Sequence, residues 1–132
     1  MANQTLQFEK AYELYCVAQK TMSQGNYNDA IVILQKSATL NPHYKTLELL
    51  GECLVMAGQY CNAIIPLAAA TTLNPQPRST LLLSNAFMSL GEMSKALKMA
   101  QLAHDRNPNY GEAEKLIATI QENMDMEELH DC

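Results

Sequence analysis

Gly58-Gln59-Tyr60-Cys61-Asn62-Ala63, closed by Asn74-Pro75, is the stretch on which the reading of this chain turns, because its outline recurs at 33 residues on either side. Upstream the landmarks are Gly25, Ala30 and Asn41-Pro42; downstream they are Gly91, Ala96 and Asn107-Pro108. A fixed period of this length predicts stacked supersecondary units rather than one globular core. Apolar residues recur at helical spacing before each glycine: Leu14, Val17 and Thr21, then Leu47, Leu50 and Leu54, then Leu83 and Phe87. Each glycine sits where a first helix must stop and reverse, in a left-handed conformation that glycine adopts without steric cost. A second helix then starts near Tyr27, Tyr60 or Met93 and stops before Asn-Pro, since proline lacks the next helical donor and restricts the residue before it. The pattern predicts seven helices and no sheet, with ends near Gln24, Leu40, Ala57, Leu73, Leu90, Arg106 and Asn123.

Small residues mark the places where paired helices cross: Ala18, Gly51 and Ser84 on the first helices, Ala30, Ala63 and Ala96 on the second. A large side chain there would push the pair apart, at roughly 1–3 kcal/mol per site. Pro66 lies inside the second helix of the middle unit, where a bend is expected. After the third Asn-Pro, Tyr110 to Asn123 repeats the first-helix pattern through Leu116, Ile117 and Ile120 with no second helix after it, as expected of a cap over an apolar end. Acids oppose the dipole at a helix C-terminus, so 124–132 is expected to be a frayed acidic tail.

The charge balance points the same way. Of the net charge of -5, Gln121 to Cys132 carries five acids and no Lys or Arg, which leaves nine acidic and nine basic residues in the body. A neutral body gives no electrostatic reason to expect nucleic acid or an anionic membrane as partner. The longest apolar run, Ala63 to Leu73, is too short to span a bilayer, and the first residues show no secretory signal, so a cytoplasmic protein is expected. Cys16, Cys53, Cys61 and Cys132 form no CxxC pair and read as reduced thiols, and His43, His104 and His130 lack metal-ligand spacing. No phosphate loop, dinucleotide fingerprint or nucleophile elbow is present. No enzyme activity, cofactor or metal is expected. Cys61 reads as an exposed thiol and His104 as a surface residue.

Leu50-Gly51, Gly58-Gln59-Tyr60, Ala63 and Asn74-Pro75 resemble the tetratricopeptide repeat family, and the resemblance extends from Ala11 to about Ile120. Ankyrin repeats share the period, but their Thr-Pro-Leu-His signature is absent. The resemblance implies an all-α, right-handed superhelical array: repeats at 11–43, 44–76 and 77–109, a capping helix at 110–123, and one domain over 1–123. It also implies a concave groove lined by first helices. Carried onto this chain, the groove residues are Tyr12, Tyr15, Cys16, Gln19, Met22 and Ser23 in the first repeat. The second gives Lys45, Glu48, Leu49, Glu52, Val55 and Met56, and the third Arg78, Leu81, Leu82, Asn85, Met88 and Ser89. This surface reads as apolar, with methionines able to adapt to a ligand and tyrosines offering rigid contact area.

The family's co-chaperone branch clamps a C-terminal carboxylate with lysines, arginine and asparagines. The corresponding residues here are Tyr15, Gln19, Leu49, Arg78 and Leu82, of which Arg78 alone is cationic, so an acidic chaperone tail is not the expected ligand. The expected function is non-enzymatic: an adaptor or chaperone holding a segment of a protein partner, oriented by Gln19, Asn85, Lys45 and Arg78. Two alternatives stand beside it. One is a homo-oligomeric scaffold, such as a homodimer, paired through Phe8, Tyr12 and the capping helix. The other rests on Leu50-Gly51-Glu52-Cys53, Gly58-Gln59-Tyr60, Pro77-Arg78 and Gly91-Glu92, which look like the translocator chaperones of bacterial type III secretion.

Overall fold

The computed structural model describes residues 2–130. Among the described residues there are seven α-helices and no strand: α1 Ala2–Ser23, α2 Tyr27–Leu40, α3 Tyr44–Met56, α4 Tyr60–Leu73, α5 Pro77–Ser89, α6 Met93–Arg106 and α7 Gly111–His130. Each helix packs on its neighbours in the chain, and α3 also meets α5 directly, whereas α2, α4 and α6 stand further apart. The first helices therefore form the tighter layer, and the array is concave on their side.

The repeated glycines have the backbone their place demands. Gly25, Gly58 and Gly91 have φ of 81°, 77° and 77°. At Gly58 the reversal is closed by two bonds, Gln59 N–H to the Leu54 carbonyl at 2.8 Å and Gly58 N–H to the Val55 carbonyl at 3.0 Å, which satisfy helix-end carbonyls. At the other end of each pair Asn41, Asn74 and Asn107 are extended, as the following proline requires. Pro77 then opens α5, a helix start where a missing N–H costs nothing.

The core is a spine of small and aliphatic groups between the two layers. Ala18, Ala30, Leu34, Cys53, Ala63, Leu67 and Ala86 are fully buried. The Gly51 crossing is closest: a Cβ there would overlap the Leu67 side chain. Two serines trapped between helices find acceptors, Ser37 Oγ donating to the Ala11 carbonyl at 2.7 Å and Ser84 Oγ to the Ala96 carbonyl at 2.6 Å. Burial pushes the Cys53 thiol up to about 11, so it is a neutral core group. α7 closes the open end, burying Ala113 and Ile120 against Leu81, Ala96, Ala100 and Ala103.

Two expectations need correcting. α7 does not end at Asn123; it continues through 124–130, because Met124 packs on the Ile120 cluster and no glycine or proline interrupts the run. Cys132 lies outside the described residues. Pro66 is buried inside α4, which runs on to Leu73. His104 is half-buried between α6 and α7, its Nδ1 4.0 Å from Glu114 Oε1, because α7 lies over it.

Candidate functional site

The first-helix layer carries a row of cavities on its concave side. The first, about 440 Å3, lies between α1 and α3 and is lined by Phe8, Ala11, Tyr12, Tyr15, Gln19, Asn41, His43, Lys45 and Thr46. It passes into a second of about 320 Å3, which shares Tyr15, Gln19 and Lys45 and adds Glu48, Leu49, Glu52 and Arg78. A third, also about 320 Å3, lies between α5 and α7, lined by Leu81, Asn85, Glu112, Lys115, Leu116 and Thr119. Helical spacing places these residues in line: Tyr12, Tyr15 and Gln19 share one stripe of α1, and Lys45, Glu48 and Glu52 the matching stripe of α3.

The two ends differ in chemistry. At the α1 end, Phe8 and Tyr12 are more than half exposed, and the Tyr15 hydroxyl accepts from Gln19 Nε2 at 3.3 Å. Burial, followed by the charges of Glu48 and Cys16, raises the Tyr15 phenol above its ordinary range, while Arg78 acts in the opposite sense. It is therefore a neutral hydroxyl with an aromatic body. At the centre, Arg78 spans two turns of α3, its Nη1 2.5 Å from Glu48 Oε1 and its Nη2 2.8 Å from Glu52 Oε2. Ser79 Oγ, buried, donates to the other oxygen of Glu48. Partial burial disfavours the guanidinium charge, but the hydrogen bonds it donates to Glu52 and Glu48 outweigh it, and its pKa is raised. Lys45 lines the same cavity, so the two carboxylates are balanced by two cations and mid-groove is charged but neutral overall.

Of the residues expected in the groove, Tyr12, Tyr15, Gln19, Lys45, Glu48, Leu49, Glu52, Arg78, Leu81 and Asn85 line these cavities. Met22, Val55 and Leu82 pack on the central core cluster, and Met88 packs on the cluster around Ile120. Leu81 is only 8% exposed, because α7 covers it through Ala113, Leu116 and Tyr110. The expectation of an apolar, methionine-lined groove is thus corrected: the methionines at 22 and 88 turn inward, and the middle is an ion cluster. Sequence reasoning missed Phe8, one helical turn before Tyr12, and the α7 residues. Extending the 33-residue register once more takes Leu82 to Lys115, the signal that would have found them.

No protein-family model matches the chain, and no curated protein does. Solved structures do share the fold. The first TPR of Spaghetti (RPAP3) bound to the HSP90 peptide SRMEEVD aligns with a TM-score of 0.84 at 20% identity, covering 88% of this chain and 94% of that one. The Yersinia enterocolitica type III secretion chaperone SycD, in complex with a peptide of the translocator YopD, aligns with a TM-score of 0.80 at 21% identity, covering 86% and 93%. MamA aligns with a TM-score of 0.83 at 25% identity, covering 86% of this chain and 68% of that one. With three helix pairs turning on Gly25, Gly58 and Gly91 and a seventh helix closing the stack, the chain has the tetratricopeptide repeat fold.

Proposed function

We propose that this chain is a non-enzymatic protein-interaction module that holds an extended or helical segment of a partner protein along the α1–α3–α5 groove. The observation that carries the reading is the continuity of the groove: Tyr12, Tyr15, Gln19, Lys45, Glu48 and Glu52 line connected cavities open to solvent, while the opposite sides of the same helices build the core. Two neighbours of the same fold were solved with peptides, which supports a segment as the ligand class.

The chemistry narrows that class. Arg78 is already engaged by Glu48 and Glu52, so an incoming carboxylate would have to displace two carboxylates to reach it. A fitting segment places aromatic or aliphatic side chains against Phe8, Tyr12 and Tyr15 and neutral hydrogen-bonding groups over the balanced charges of Lys45, Glu48, Glu52 and Arg78. The likeness to SycD, together with the Leu50-Gly51-Glu52-Cys53 and Pro77-Arg78 motifs, favours a second reading, that of a chaperone for exported proteins.

Panning the protein against a displayed random peptide library tests the first reading. The recovered peptides are expected to be rich in aromatic and aliphatic residues, and Tyr12→Glu with Tyr15→Glu should weaken them by more than about tenfold at an unchanged thermal midpoint. Peptides bound equally well by this variant would place recognition on another surface.

A further inference from the structure

The three repeats provide an internal control for their outer surface. The second helices α2, α4 and α6 present equivalent positions to solvent, 33 residues apart. α6 carries Lys95, Lys98 and Asp105 there, and α2 carries Asp29 and Lys36. α4 carries no charged residue anywhere between Tyr60 and Leu73: Asn62, Ile65 and Thr72 stand where α6 has its charges, and Ala69 stands where α2 has Lys36. A helix without charges is expected to be covered on all sides. Yet Ile65 is 80% exposed, Leu73 58% and, at the place on α2 equivalent to Ile65, Val32 50%.

The surface around Ile65 has relief. Because α2 and α4 stand apart, a groove of about 480 Å3 opens between them, with Leu47, Leu50 and Leu54 of α3 as its floor and Gln35, Asn62 and Pro66 among its walls. Ile65 stands at its edge as a projecting aliphatic group. A projecting aliphatic group and a groove floored by leucines therefore lie side by side on one face.

We propose that the outer face of α4 docks a second copy of this chain about a two-fold axis, each Ile65 entering the groove between α2 and α4 of the other copy. Two observations select a second copy over a foreign partner. A two-fold interface brings each patch against itself, so the projecting group and the groove must share one surface, as they do here. Near such an axis any charge meets its own kind, and α4 is the second helix from which charges are missing. The interface lies on the side of the array away from the peptide groove, so both can be occupied at once. One helix of 14 residues, about 21 Å long, offers less than the roughly 800 Å2 per partner of a standard interface, so dimers are expected at micromolar concentrations and above.

Sedimentation equilibrium of the full chain from micromolar to millimolar concentration tests the proposal. The wild type should pass from monomer to dimer. Ile65→Lys, which installs the residue that α6 carries at 98, should raise the dissociation constant by more than about tenfold, with helicity and thermal midpoint kept because the site is exposed. Asn62→Lys, which copies Lys95 of α6, should act in the same direction. Phe8→Glu with Tyr12→Glu, on the concave side, should leave the dimer intact. A wild type that is monomeric throughout, a dimer indifferent to Ile65→Lys, or one lost with Phe8→Glu and Tyr12→Glu would overturn it.

Discussion

Repeats two and three share a register and a backbone but fill their helix crossings with different chemistry. In repeat two, Gly51 gives up its side chain so that Leu67, fully buried, can occupy the space. In repeat three the equivalent pair is Ser84 and Ala100, both fully buried, and the serine hydroxyl ties the two helices together by donating to the Ala96 carbonyl at 2.6 Å. What the period preserves is a small residue on the first helix, not the combined side-chain volume. One solution seats a large apolar group from the second helix against it, the other ties two small residues with a hydrogen bond from the first. The repeats also differ in what covers them: repeat two lies between helices of its neighbours, while repeat three depends on α7.

The sharpest test of that dependence is removal of α7. Truncation before Tyr110 exposes Leu81, Ala96, Ala100 and Ala103 together and deletes Ile120, which is fully buried. The loss is expected to be roughly 5 kcal/mol or more, comparable with the whole stability of a small domain. A melt should show a mostly unfolded chain at ambient temperature. Truncation after Asn123 keeps Ile120 and loses the Met124 contact, so its midpoint should fall by only a few degrees. Equal midpoints for the two truncations would mean that repeat three closes itself.

Intermediate in size is the Gly51–Leu67 crossing. Leu67→Ala should cost about 2–5 kcal/mol through the lost burial and the cavity left behind. Gly51→Ala should cost a net of up to about 2 kcal/mol, because roughly 1–3 kcal/mol of overlap with Leu67 is set against a gain of about 1 kcal/mol from replacing a helical glycine. The double variant converts the crossing to small with small, as in repeat three, and should be less destabilised than the sum of the singles by about 1–2 kcal/mol. Strict additivity in urea denaturation would show that the two side chains do not share one space.

The same comparison explains what was legible in the sequence. Glycine at a positive φ and asparagine before proline act within a few residues, so six of the seven expected helix ends fall within one residue of those observed, and α3 and α5 begin at Tyr44 and Pro77 as the 33-residue period required. Ends without such punctuation were not legible: nothing between Met124 and His130 stops a helix, and α1 runs back to Ala2. The groove divides along the same line. Stripes on single helices put Tyr12, Tyr15, Gln19, Glu48 and Glu52 on one surface. The pairing of Arg78 with residues 30 and 26 positions earlier depends on how α5 lies against α3, which periodicity does not encode, and so Arg78 read as free for a ligand. Leu81 read as exposed for a related reason, since only the docking of α7 covers it.

The smallest expected effect separates the two crossings most finely. Ser84→Ala removes the bond to the Ala96 carbonyl, and a buried neutral hydrogen bond contributes about 0.5–1.5 kcal/mol net. The acceptor is not orphaned, because a carbonyl inside α6 also faces the helical N–H four residues on, so the larger penalty for an unsatisfied buried group does not apply. Alanine returns about 0.5 kcal/mol through its better helix propensity, and it is no larger than serine, so nothing must move. The net cost should therefore be at most about 1 kcal/mol, well below that of Leu67→Ala in the neighbouring repeat. Chemical denaturation of the two variants side by side decides the matter. A Ser84→Ala cost equal to that of Leu67→Ala would mean that the hydroxyl holds repeat three together as strongly as Leu67 holds repeat two, and that the crossings are equivalent in energy although they differ in volume.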